Sequence, residues 1–350
     1  MRVLSALPQY DLTEVPAAAR AAEEAGYDGL LTMENQNEPF LALAVAAVNT
    51  RRVTLGTAVA IAFPRSPMVV ANASWDLQIA SRGRFVLGLG PQIRAHNERR
   101  FSVPWSPPVP RLREYVQALR AIWRAWEHGG PLRFEGHHYR FTLMTPNFTP
   151  RSMGQPMVPV TIAAVGPHAL RLAGEVADGV RLHGFCTRKY LDDAVLPRLQ
   201  EGMGASGRKR EHFEVTGGGF IATGPDAAAV AKAFEWVRYR VAFYASTPAY
   251  RPVLAPHGLE DLGAKLNTMT KAGQWDRIAA QVSDDAVHLF AAVGTHAEIA
   301  PAIARRFGGI ADGIYARAAE GDAAFLPPDL VQDIRRIPSP FQGHRTSWGP

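Results

Sequence analysis

Eight short apolar segments, each ending at a turn residue and each followed by a stretch of helical periodicity, most constrain what this chain can become. They are Arg2 to Leu7, Gly29 to Met33, Val53 to Ala60, Phe85 to Leu89, Val158 to Ala164, Gly179 to His183, Phe213 to Thr223 and Gly313 to Arg317. Short runs without polar alternation are what strands buried on both faces require. Eight such strands alternating with helices predict an α/β fold, a closed (β/α)8 TIM barrel with loop insertions, with an open doubly wound sheet as the alternative. No Gly-x-Gly-x-x-Gly follows the first strand, which argues against the nucleotide-binding open sheet.

The intervening stretches carry helix signals. Leu12, Val15, Ala19 and Ala22 recur at helical spacing, Asp11 and Glu14 resemble a capping pair, and Gly26 stands where the helix should stop. Between Arg111 and Glu127, Leu112, Tyr115, Val116, Leu119, Ile122, Trp123 and Trp126 form one apolar stripe, read as core. One barrel domain is expected over 1–337, with insertions at about 91–110, 131–157 and 241–293. The second insertion holds a hairpin expected around Glu135-Gly136, and 338–350 is expected to be a flexible tail.

At 350 residues and 47% hydrophobic content, a large core is available. A single cysteine, Cys186, leaves no internal disulfide and no multi-thiolate metal site within one chain, so a reducing cytoplasm is expected. No apolar run reaches the roughly 18–20 residues of a membrane helix. The net charge of +6 suits an anionic ligand. Because the arginines are interspersed with acids, as in Arg20-Ala21-Ala22-Glu23-Glu24, neither a nucleic-acid nor a membrane partner is expected.

In a barrel the C-terminal strand ends carry the site. Here they supply Glu34 and Asn35 after strand two, Ala58 and Val59 in strand three, Gly90 to Gln92 after strand four, Ala164 to Pro167 after strand five and His183 after strand six. This set is poor in acid/base groups and rich in backbone. It suits a planar, preformed cofactor better than hydrolysis by paired carboxylates. Val165-Gly166-Pro167-His168 reads either as a strand end opening a phosphate-binding helix or as an ordinary barrel turn. His96 reads either as a solvated residue of a charged segment or as a group at the mouth, and Asn35 as a cap or a site residue. His137 and His138 lack the spacing of a zinc helix and are read as non-ligands.

Several of these segments together resemble the bacterial-luciferase-like flavin and deazaflavin oxidoreductases. The matching pieces, in family order, are Glu23-Glu24-Ala25-Gly26-Tyr27-Asp28-Gly29, Leu55-Gly56-Thr57-Ala58-Val59, Ser81-Arg82-Gly83-Arg84-Phe85-Val86-Leu87-Gly88-Leu89-Gly90, Pro159 to Pro167 and Ala173 to Gly179. More narrowly, Met33 to Phe40, Arg94 to Ser102 and Leu143-Met144-Thr145-Pro146 resemble an actinobacterial subgroup assigned to the deazaflavin coenzyme F420.

The resemblance implies a TIM barrel that binds its isoalloxazine-like ring at the strand C-termini, with a non-prolyl cis peptide at Ala58-Val59 behind it. The expected activity is hydride transfer between F420 and a small organic substrate. An FMN-dependent two-component monooxygenase and a non-catalytic flavin-binding barrel are the alternatives. Implied cofactor contacts are Glu34, Ala58, Val59, Gly90, Gln92, Ala163, Ala164, Val165, Gly166 and His183, with Arg188 either facing the phosphate or acidic tail or simply solvated at a helix start. Asn35 and His96 are the expected catalytic pair, no metal is expected, and a homodimer or higher homo-oligomer is implied. The sugar-phosphate dehydrogenases of this superfamily carry Asp-His after strand two and an acid after strand four. The present chain has Glu34-Asn35 and Ile93 there, and Pro91 replaces a small polar residue, so it departs from their pattern.

Overall fold

The computed structural model describes residues 1–316 and 325–345. Among these, eight parallel strands close into a ring: β1 (Arg2–Ala6), β2 (Gly29–Thr32), β3 (Thr54–Thr57), β4 (Phe85–Gly90), β5 (Val160–Ala164), β6 (Gly179–Leu182), β7 (Glu214–Gly217) and β8 (Gly313–Tyr315). Each strand pairs with the next, and β8 pairs with β1 through Arg2 opposite Gly313, which closes the (β/α)8 barrel. Arg317, the expected end of the last strand, lies outside the described residues. Strand three is shorter than expected; its apolar run resumes at Ala60–Ile61, which pairs with Leu89 and Gly90 of β4. Between the two pieces the Ala58–Val59 peptide is cis.

Side chains alternate between two shells, as strand geometry requires. Outward, Leu30, Leu55, Phe85, Leu87, Val160, Ile162, Val180 and Val215 are buried in one continuous core beneath the helices. These helices are α1 (Val15–Glu24), α2 (Leu41–Asn49), α3 (Pro67–Ala80), α4 (Pro108–His128), α5 (Pro167–Val176), α6 (Leu196–Ser206), α7 (Ile299–Phe307) and α8 (Pro328–Arg335). The α4 stripe is core as read, with Trp126 edge-on to Trp75 at 5.3 Å between centroids. The capping pair expected for α1 is different: Asp11 folds onto Thr13, and Glu14 occupies the cap position without a side-chain bond. Gly26, with φ +88°, ends that turn as expected.

The lumen is crowded enough to need small residues. A Cβ at Gly56 would sit 2.9 Å from the Val86 carbonyl and 3.7 Å from Arg181 Nη2, so glycine there leaves room for a buried guanidinium. Arg181 approaches Glu214 at 3.7 Å, and Glu214 also pairs with Arg2 at the N-terminal end of the barrel. Burial acts to raise the Glu214 pKa, but Arg2, Arg181 and His344 together outweigh it and hold the carboxyl at about 2.

Two expectations about the chain differ from what it does. Phe213 to Thr223, read as one strand, is two: β7 ends at Gly217, both Gly217 and Gly218 have positive φ, and Phe220–Gly224 pairs in parallel with the distant Ala291–Thr295. A Cβ at Gly217 would lie 2.4 Å from the Leu182 carbonyl, so the break is tied to close strand packing. Helices Ala227–Ala245, Glu260–Lys271 and Asp284–Phe290 lie between the two strands of this outer pair. The segment after Pro338, expected to be flexible, is anchored over residues 338–345. The Asp312 carboxylate accepts from Ser339 Oγ at 2.6 Å and from the Phe341 amide at 3.1 Å. His344 lies 3.8 Å from Glu214.

Candidate functional site

The inward face of β4 carries Val86, Gly88 and Gly90, and the last of these opens the C-terminal mouth. A Cβ at Gly90 would stand 2.7 Å from Val59 Cγ2 and 3.6 Å from the Ala163 Cβ. Three strand ends therefore converge on a patch that glycine and alanine keep flat. Ala58 and Val59 are half-buried, as is Ala163, while Ala164 is buried beneath it. The Ala58 amide donates to the Thr32 carbonyl at 2.7 Å, and the Val59 carbonyl accepts from the Glu34 amide at 3.3 Å, which binds this patch to the end of β2.

Glu34 reaches the patch from behind. Its carboxylate accepts from Ile61 N at 2.7 Å and from Arg65 Nη1 at 2.7 and 2.8 Å, and the side chain is only 7% exposed. Its acceptor capacity is thus committed to protein, and what it supplies is support for the backbone at Val59 to Ile61. Arg65 follows the strand-three segment by a few residues, yet nothing local marks it as the partner of a carboxylate 31 residues earlier.

Asn35 is exposed, with Oδ1 accepting from the Gln36 amide at 2.6 Å. Its carbonyl accepts from Arg100 Nη2. Arg100 follows the short helix Arg94–Arg99 that carries His96, so one guanidinium ties the two expected catalytic residues into neighbouring segments. The His96 ring is half-buried and makes no hydrogen bond among the described residues. That helix is positioned by the buried Asn97, whose Nδ2 donates to the Pro91 and Ile93 carbonyls at 2.9 and 3.1 Å. Gln92 enters it with φ +56°, a conformation non-glycine residues adopt rarely, and accepts from the Ile93 amide through its own side chain.

On the far side of the mouth, Gly166 caps α5 without any side-chain bond, and a Cβ there would meet nothing within 4 Å. The first-turn amides of α5 are open toward the strand ends, an arrangement that favours a phosphate. Val165 contributes its carbonyl to Tyr190 Oη at 3.1 Å. His183 follows β6, and its Nδ1 accepts from the Phe185 amide at 2.9 Å. Its ring lies against Tyr244 at 4.2 Å and Tyr250 at 5.1 Å, centroid to centroid. Burial first, and the Arg240 charge second, lower its pKa to about 4, so the imidazole is neutral at physiological pH. Arg188 stands at a helix start with its side chain 40% exposed, as one of its two readings has it, and its Nη1 donates to the Gly308 carbonyl at 3.1 Å and its Nε to Asp192 at 2.8 Å, which fastens the end of α7.

The chain belongs to the luciferase-like monooxygenase family, whose sequence model matches residues 2–312. It is therefore an enzyme of the luciferase-like oxidoreductase class. It is 46% identical over 301 residues to an uncharacterised protein of Mycobacterium tuberculosis, covering 86% of this chain and 88% of that one. It is 27% identical over 297 residues to a 5,10-methylenetetrahydromethanopterin reductase of Archaeoglobus fulgidus, covering 83% and 84%. Among solved structures, the F420-dependent tetrahydromethanopterin reductase of Methanopyrus kandleri superposes with a TM-score of 0.76 at 20% identity, covering 96% and 97%. An F420-dependent secondary alcohol dehydrogenase superposes with a TM-score of 0.71 at 18% identity, covering 95% and 99%.

Proposed function

We propose that this protein transfers hydride between deazaflavin coenzyme F420 and a small organic substrate. The observation that carries the reading is the convergence of Gly90, Val59 and Ala163 on one flat patch, where a single added Cβ would already collide. Such a surface admits a planar ring at van der Waals distance and leaves polar recognition to backbone. The description of the Methanopyrus reductase as F420-dependent supports the same reading.

When bound, the deazaflavin would supply the hydride-accepting or hydride-donating carbon. The chain would do the rest. Ala58, Val59, Gly90 and Ala163 would hold one ring face, and the α5 amides from Gly166 onward would hold the phosphate. Asn35 would orient the substrate by hydrogen bonding, and His96 would move a proton to or from its oxygen. Glu34 would act through the Val59 to Ile61 backbone rather than by touching ligand.

The test is a pair of fluorescence titrations of the purified protein, with F420 and with FMN, at one salt concentration. Tighter binding of F420, followed by substrate-dependent change in its absorbance with alcohols, ketones or cyclic enones, is the expected result. Tighter binding of FMN would replace this reading with that of a reduced-FMN monooxygenase.

A further inference from the structure

The helix Ala227–Ala245 presents Trp236, Arg240, Phe243 and Tyr244 along one face, at the spacing of successive helical turns. That face meets the mouth through His183, whose ring lies against Tyr244. The Arg240 guanidinium stands 4.9 Å from the Tyr244 ring centroid, 5.6 Å from that of Trp236 and 5.8 Å from that of Phe243. One of its nitrogens donates to Tyr244 Oη. Its Nε is buried and has no hydrogen-bond partner, and no carboxylate pairs with it among the described residues. Arg238, two residues earlier, is by contrast engaged by Glu235 and Asp284.

Arg240 is half-buried with its Nε wholly buried, and ring contacts offset only part of the cost of holding that group without a hydrogen-bond partner or counter-charge. An anionic group would supply both. The donor set around it is prepared for one: with Nδ1 occupied as an acceptor from Phe185, the neutral His183 ring carries its proton on Nε2, where it can only donate. The Tyr250 ring borders the same space, 5.1 Å from His183 and 5.5 Å from Tyr244. Trp275, 44% exposed and 5.9 Å from Phe243, extends the apolar wall outward.

We propose that Arg240, assisted by the His183 Nε2–H, receives the carboxylate of a planar organic-acid substrate whose body lies against Tyr244 and Tyr250. The inference rests on the reading of the mouth as the active site. The places proposed above for the cofactor ring and phosphate, at Gly90 and at the α5 N-terminus, leave this cation for the second ligand. The same carboxylate chemistry also exists in the glutamyl tail of F420, and the experiment separates the two sources.

The full-length protein is titrated by tryptophan fluorescence with 2-naphthoate and with its neutral counterpart 2-naphthamide, at fixed ionic strength and without cofactor. The same titration is run with F420 and with the tail-less, phosphate-free deazaflavin riboside. Each is repeated with Arg240→Gln and with Arg240→Lys, the latter keeping the charge if the former perturbs folding. The expected result is at least tenfold preference for naphthoate over naphthamide, lost in Arg240→Gln and largely kept in Arg240→Lys, with F420 affinity unchanged. Equal binding of the two naphthalenes, or a preference that survives Arg240→Gln, overturns the proposal. Loss of F420 affinity in Arg240→Gln with riboside affinity intact assigns the cation to the cofactor tail and overturns it equally. Failure of wild type to bind any deazaflavin counts against the function proposed above, and the naphthalene pair still decides this one.

Discussion

The Glu34 carboxylate holds Arg65 Nη1 at 2.7 Å and the Ile61 amide at 2.7 Å, so one buried acid fixes both a cation and the strand that continues past the glycine-alanine patch. Glu34→Ala leaves Arg65, only 19% exposed, with the more distant Glu38 carboxylate at 3.4 Å and the Ile61 carbonyl as its remaining partners. Breaking a fully buried pair costs about 3–5 kcal/mol; the residual exposure of Arg65 and its second carboxylate, Glu38, bring the expected loss to roughly 1–3 kcal/mol. Urea unfolding measures it. Deazaflavin affinity should fall in parallel, and a loss of affinity with stability intact would mean that Glu34 touches ligand directly.

Gly90→Ala places a methyl 2.7 Å from Val59 Cγ2. Overpacking of this kind costs about 1–3 kcal/mol, and here the atoms that must give way form the proposed ring platform. We expect at least a tenfold loss of deazaflavin affinity in fluorescence titration. Unchanged affinity would move the ring off β4.

His96→Ala and Asn35→Ala should lower turnover while leaving cofactor affinity nearly unchanged, because the proposed cofactor contacts are made elsewhere. A positioned acid/base group contributes on the order of 10²- to 10⁴-fold. Steady-state kinetics with the first substrate found will show it, and a decrease under about tenfold in both variants returns both to structural roles. Arg100→Ala, which releases the Asn35 carbonyl, should raise KM more than it lowers kcat.

Stability should decline with acid in two stages. His183 sits at about 4 in the fold against an ordinary 6.5, so the unfolded chain takes up its proton first; this contribution is complete above pH 6.5 and is lost as pH falls toward 4. Glu214 sits at about 2 against 4.5, and its contribution is complete above pH 4.5 and is lost as pH falls toward 2. Urea midpoints measured from pH 7.5 to 4.5 should slope downward below 6.5, and His183→Gln should flatten that upper stage. An unchanged slope in the variant would assign it to other groups.

The barrel was legible because its strands must be apolar on both faces and its turns must end them, and both demands are local. Gly90 and Val59 could be placed at one mouth for the same reason, their strands' order and direction following from the alternation with helices, whereas Ala163 came only from the family resemblance. The break at Gly217–Gly218 was not legible. Both halves of Phe213 to Thr223 are apolar, and only pairing of Phe220–Gly224 with Ala291–Thr295 distinguishes one strand from two. The anchoring of 338–345 depends likewise on Asp312, whose remaining acceptor capacity becomes available only when the N-terminal end of the barrel is assembled. Charges behaved in the same way. Glu34, Arg188 and Arg240 look alike in a sequence as polar residues near strand or helix ends, yet one is paired, one fastens a helix end and one is left without a counter-charge. Sequence by itself determined the barrel and the direction of its strands, because those follow from local periodicity. Tertiary structure alone decided which charges are spent on the fold and which remain for a ligand, because a charge's partner is chosen by distance in space.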